Sequence, residues 1–198
     1  MSKPGAVAFA MLLVVAGAGP AQQRLRDPQS TFEPRSEPGI GQKLLEKMAG
    51  DWDVAKTLYI RSREPLRIKG ECHQRMIHDG RFLKSEFVFE DSQGKTTGLG
   101  IIGFDVQTGK FTSAWTDSRS TRMSLRQSEG MVNGQEIVLF GRNLGDSANG
   151  PSRSRTVSKL EDDGRKLVHR LYVLGPDDKE RLVMELLMTR RGQESGHR

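Results

Sequence analysis

Cysteine is almost missing: Cys72 is the only one in 198 residues, so no internal disulfide can brace the fold. Aromatic residues are sparse, with two Trp, two Tyr and eight Phe, so each buried ring must carry a large share of a core. Hydrophobic residues make up 35% of the chain, which suits a sheet with one wet face better than one covered on both sides. The apolar run from Ala6 to Ala16 stops well short of the ~20 residues that a membrane-spanning helix needs. The net charge of +6 is spread among 25 acidic residues, and the dense basic stretch Arg153-Ser154-Arg155 with Lys159 contains no aromatic ring. Basic patches interleaved with stacking rings mark nucleic-acid binders, so that class is excluded and a solvated strand face is expected.

The chain begins with a basic residue, Lys3, then the apolar run, then small residues and a break at Pro20, which is the order of an export signal. Cleavage would follow Ala18 or Ala21, and Pro20 favours the second, so residues 1–21 read as a signal peptide. No cysteine stands near the exit to carry a lipid, so the mature protein is expected in the periplasm or outside the cell without a stable membrane anchor. Residues 22–38 combine three prolines with charges and few apolar side chains, too few to offset the entropy of ordering them, and read as a disordered linker. Residues 192–198, with His197, read as a disordered tail.

One domain is expected over 39–191. It opens with a short helix, since Ile40, Leu44, Leu45 and Met48 share one helical face and Gly50 is placed to stop it. After Trp52 the period falls from about 3.6 to 2. Turn signals then recur at Asp79-Gly80, Ser92–Lys95, Gln107–Lys110, Asn133-Gly134, Asp162–Gly164 and Gly175–Asp178. They separate candidate strands near 51–61, 66–78, 82–91, 97–105, 110–117, 121–129, 135–141, 153–161, 166–174 and 181–190, with 142–152 the longest polar loop. Short strands joined locally form an antiparallel meander, and closure into a barrel removes its exposed edges. The expected fold is all-β, an antiparallel barrel of eight to ten strands with a short N-terminal helix plugging one end.

Gly50-Asp51-Trp52, after a short helix and at the start of the first strand, resembles the Gly-x-Trp signature of lipocalins and other calycin barrels. In those barrels an arginine of the last strand lies across the tryptophan, and alternation puts Leu182, Met184, Leu186, Met188 and Arg190 on one face, with Trp52, Val54, Leu58 and Ile60 sharing a face on the first strand. The resemblance therefore implies that Arg190, or Arg191 if a bulge shifts the register, stacks on Trp52, worth roughly 0.5–2 kcal/mol. A longer pattern runs through Leu45, Ala49–Trp52, Gly80–Leu83, Gly98–Gly100, Gly103–Asp105 and Trp115–Ser118. It resembles an uncharacterised bacterial family, domain of unknown function 1579, over about residues 43–191. Phe104 stands where that family often has tyrosine, so a role resting on that hydroxyl does not carry over. What the resemblance implies is a lipocalin-like barrel of unknown activity.

Several groupings invite chemistry, and each has a plainer reading. In Glu71-Cys72-His73, with His78 and Asp79 beyond, alternation sends Cys72 and His73 to opposite faces, so they do not share a metal or nucleophile site; Cys72 falls inward with Ile68, Gly70 and Met76. His169, in the apolar strand from Leu167, would be a base if a carboxylate oriented it and is otherwise a hydrogen-bonded structural residue. Asp105 and Asp117 end strands and are expected to cap turns rather than to form an acid–base pair. Gly98-Leu99-Gly100-Ile101-Ile102-Gly103 opens no helix and is not a phosphate loop; its glycines allow close approach of a neighbour. Phe87, Phe89, Phe111 and Trp115 would fill the barrel core or line a pocket, and Lys56, on the parity of Trp52, would meet an anion there unless a bulge turns it outward.

The expected function is non-enzymatic binding of a small apolar or amphipathic ligand, with Phe87, Phe89, Phe111 and Trp115 as walls and Lys56 as an anion contact. No metal and no cofactor are expected, and the oligomeric state is left open. Two other readings stand beside it: a hydrolase or isomerase using His169 or His73 at the barrel mouth, and a filled barrel whose outer face docks a partner.

Overall fold

The computed structural model describes residues 28–61, 63–129, 135–142, 153–175 and 179–192. The expected signal peptide, the Asn133-Gly134 turn, nearly all of the 142–152 loop, Asp177-Asp178 and His197 lie outside them. The chain divides into two units, 1–35 and 36–198. In the first, Pro28–Thr31 form a single 3-10 turn.

The second unit is an all-β closed barrel of ten antiparallel strands with one short helix. The helix α1, Ile40–Met48, is followed by β1 Gly50–Leu58, β2 Leu66–Ile77, β3 Phe82–Asp91, β4 Gly94–Asp105, β5 Lys110–Asp117, β6 Ser124–Gln127, β7 Glu136–Arg142, β8 Arg153–Glu161, β9 Lys166–Leu174 and β10 Glu180–Arg190. Each strand pairs with its sequence neighbour, and β1 pairs with β10 to close the ring. Closure joins the first and last strands, which would otherwise be the exposed edges of a sheet of this width.

Helix α1 starts where the Gln42 side chain accepts a hydrogen bond from the Gly39 amide (2.7 Å) and donates another to the Phe104 carbonyl (2.7 Å). Leu44, Leu45 and Met48 are buried against the sheet, whereas Ile40 is 68% exposed because it lies in the opening turn, ahead of the face that meets β2, β3 and β4. Gly50 does not stop the helix; Ala49 does, in an extended conformation, and Gly50 is the first residue of β1. Its φ of 150° suits glycine, and a Cβ there would come within 2.2 Å of Arg190 Nη1.

Other departures from expectation are local. Ile60 follows the end of β1 and is exposed. The strand expected over 121–129 narrows to Ser124–Gln127, because the preceding residues make the turn after Asp117. In β10 the register against β9 shifts between Leu182 and Met184, so Leu182 faces Tyr172, outside the inward row of Met184, Leu186 and Met188. Trp52 and Arg190 are direct cross-strand partners, and the guanidinium sits 4.2 Å from the indole ring.

Candidate ligand cavity

The interior is not filled. A cavity of about 400 Å³ lies inside the barrel, within the ~300–1,000 Å³ of ordinary small-molecule sites. Leu45 and Met48 of α1 close its floor, and strand alternation supplies the wall. Phe87 and Phe89 stack at 6.0 Å between ring centres, and Trp115 meets Phe87 edge-on at 5.5 Å. The Trp115 indole lies flat over β4, where a Cβ on Gly98 would come within 2.4 Å of it, so the glycine-rich run is the bed of this ring. Trp115 Nε1 donates to Asp117 (3.1 Å), and the same carboxylate accepts the Arg119 amide (2.9 Å), so Asp117 both caps its turn and faces the cavity. Asp105 only caps, accepting from the Gln107 amide and the Thr108 hydroxyl.

Lys56 does point inward, as its parity requires. Its ammonium sits 4.6 Å from the centre of the Phe89 ring. Burial lowers its pKa, Arg119 adds to the effect, and Asp117 and Asp91 oppose it. Phe111 does not line the cavity: it packs at 5.0 Å on its cross-strand partner Phe104, which lies against Gly41 of α1. Four of the five expected wall residues, Lys56, Phe87, Phe89 and Trp115, therefore come together, and Phe111 belongs to the packed core.

Over residues 37–190 the chain matches the model of a family described as "Protein of unknown function (DUF1579)". The chain belongs to that family. Two solved structures share its fold: Rv2717c from M. tuberculosis, at 14% identity and a TM-score of 0.57, covering 79% of this chain and 100% of that one, and an S-type phycobiliprotein lyase from Guillardia theta, at 8% identity and 0.51, covering 78% and 94%. No curated protein matches.

In this DUF1579 barrel the two candidate histidines, His73 and His169, fall on opposite sides of the wall. His73 is outside, its Nδ1 2.7 Å from Asp51 Oδ1, in a surface row with Arg75 and Glu71. That contact and Arg75 hold the Asp51 carboxyl below its ordinary pKa. His169 faces the cavity and shares a 2.8 Å hydrogen bond with its cross-strand partner Ser158; the group on Nδ1 is a hydroxyl, not a carboxylate. Burial, with nearby Arg126, pushes its pKa down to about 4, so the ring is neutral at pH 7. Cys72 is fully buried beneath Trp52, its cross-strand partner, and burial pushes its thiol well above the ordinary value. Among the described residues no three His, Cys, Asp or Glu gather to hold a metal.

Sequence reasoning missed Arg126. It reaches the cavity from β6, and its Nε is buried without a hydrogen-bond partner among the described residues. The signal was an inverted alternation: apolar Leu125 is 57% exposed while Ser124 and Arg126 face in.

Proposed function

We propose that this protein is a non-enzymatic carrier or sensor that holds one small, partly apolar ligand in the barrel cavity, and that it works in the periplasm or outside the cell. The observation that carries the binding reading is the unfilled interior of about 400 Å³, walled by Phe87, Phe89 and Trp115 and edged by Lys56. An interior meant only for stability would be close-packed, because empty space forfeits dispersion contacts. The export reading rests on Lys3, the Ala6–Ala16 run and the small residues before Gln22.

A histidine enzyme is the weaker alternative: His73 has a carboxylate but faces away from the cavity, and His169 faces it with a hydroxyl partner. Native mass spectrometry of protein isolated gently from its own envelope tests binding. A co-purifying small molecule whose addition to stripped protein changes Trp115 fluorescence, with the change lost in Trp115→Phe, supports the reading; protein that is bare and indifferent to hydrophobic probes overturns it. N-terminal sequencing of the exported form, expected to begin just after Ala21, tests the destination.

A further inference from the structure

Among the cavity's charged groups, two are already answered. Asp117 is held by Trp115 Nε1 and the Arg119 amide, and Lys56 rests on the Phe89 ring within the field of Asp117. Arg126 is not. Its stem lies across Gly141, its cross-strand partner, where a Cβ would come within 2.8 Å of its Cγ. The bare backbone at Gly141 is what lets a long cation lie flat on the inner wall. Ser154, next along the same cross-strand row, has its Oγ 3.2 Å from that position, buried and likewise without a partner among the described residues. An arginine whose Nε is buried and unanswered among the described residues thus lines an apolar chamber, with the Ser154 hydroxyl one strand further along the same cross-strand row.

Such an arrangement is costly without a ligand. A buried group that has lost water and gained no partner is destabilising, and a guanidinium cannot shed its proton to escape. Neutral His169 beside it relieves none of the charge. Lys56 and Asp117 offset each other, so the chamber holds one excess positive charge, matched by a monoanion. A guanidinium's paired N–H groups suit a planar carboxylate.

We propose that Arg126 is the head-group anchor of the cavity, and that the occupant is an apolar carboxylate; the proposal rests on the binding reading above. Octanoate and 1-octanol, equal in chain length, separate the two by calorimetry at pH 7. Octanoate should bind at least tenfold tighter than the alcohol. Arg126→Met should abolish that preference by weakening octanoate, and keep or raise the Tm, since it removes a buried Nε that has no partner among the described residues. Arg75→Met, which removes an equal charge from the outer face, should retain the preference.

Equal binding of acid and alcohol by the unmodified protein, or a preference that survives Arg126→Met or vanishes in Arg75→Met, overturns the anchor and leaves the binding reading standing. A lowered Tm in Arg126→Met also counts against it, as the mark of a structural arginine. Failure of the unmodified protein to bind either compound overturns both.

Discussion

At Arg190 one guanidinium serves the carbonyls of Ala49 (2.6 Å), Lys47 (2.7 Å) and Gly164 (2.8 Å) while covering the face of Trp52. It ties together the end of α1, the start of β1, the turn before β9 and the end of β10. Arg190→Met should therefore lower stability by about 2–4 kcal/mol in denaturant titration, because charge-assisted bonds are lost and carbonyls are stranded. Arg190→Lys should recover only part, since an ammonium cannot span that fork of acceptors. His169 gives a second prediction. Its pKa falls from 6.5 to about 4 on folding, so the unfolded chain binds the proton more readily. Its stability contribution is complete above pH 6.5 and is lost as pH falls towards 4, by up to about 3 kcal/mol. Urea midpoints followed from pH 7 to 4.5 should drop less steeply in His169→Gln than in the unmodified protein. The Trp52–Arg190 contact was legible because parity and the Gly-x-Trp resemblance agreed. Arg126 was not, because a lone arginine in a polar four-residue strand reads as solvated unless closure of the ring shows which side faces in.

Among the elements, α1 matters beyond its nine residues, since Leu45 is fully buried and is at once barrel core and cavity floor. Leu45→Ala should cost about 2–5 kcal/mol in chemical denaturation and deepen the chamber, admitting a longer apolar chain. The strands were readable in order and nearly to the residue, as with 82–91, 110–117, 153–161 and 166–174, because turn residues such as Asp105–Gly109 punctuate a strict two-residue period. The helix was less so. Ile40 obeys helical spacing yet stays exposed, because spacing specifies a face but not how far towards the helix start the sheet reaches. The same limit misplaced Phe111: alternation put it inside the barrel, where it is, but could not tell packed core from cavity wall.

Across the whole molecule, the ring of ten strands is completed by residues near the two ends of the domain. The closing pair joins strands from opposite ends of the domain, so folding should be slow, in the millisecond-to-second range of barrels rich in distant contacts. Truncation after Leu174 removes β10 and exposes the edges of β1 and β9. Such a chain should appear as aggregate rather than monomer in size-exclusion chromatography. The interior volume was the property least legible in sequence, since it depends on how ten tilted strands share their side chains.

The seam between β1 and β10 has a mechanical side. Gly50 and Arg190 lie at the same rim, so the polypeptide enters and leaves the barrel at one point. Tension applied to the domain's two ends would not slide these strands past each other against all their bonds at once; it would peel them apart like a zipper, starting at the tryptophan. The barrel's weakest direction is therefore the line that joins its two chain ends.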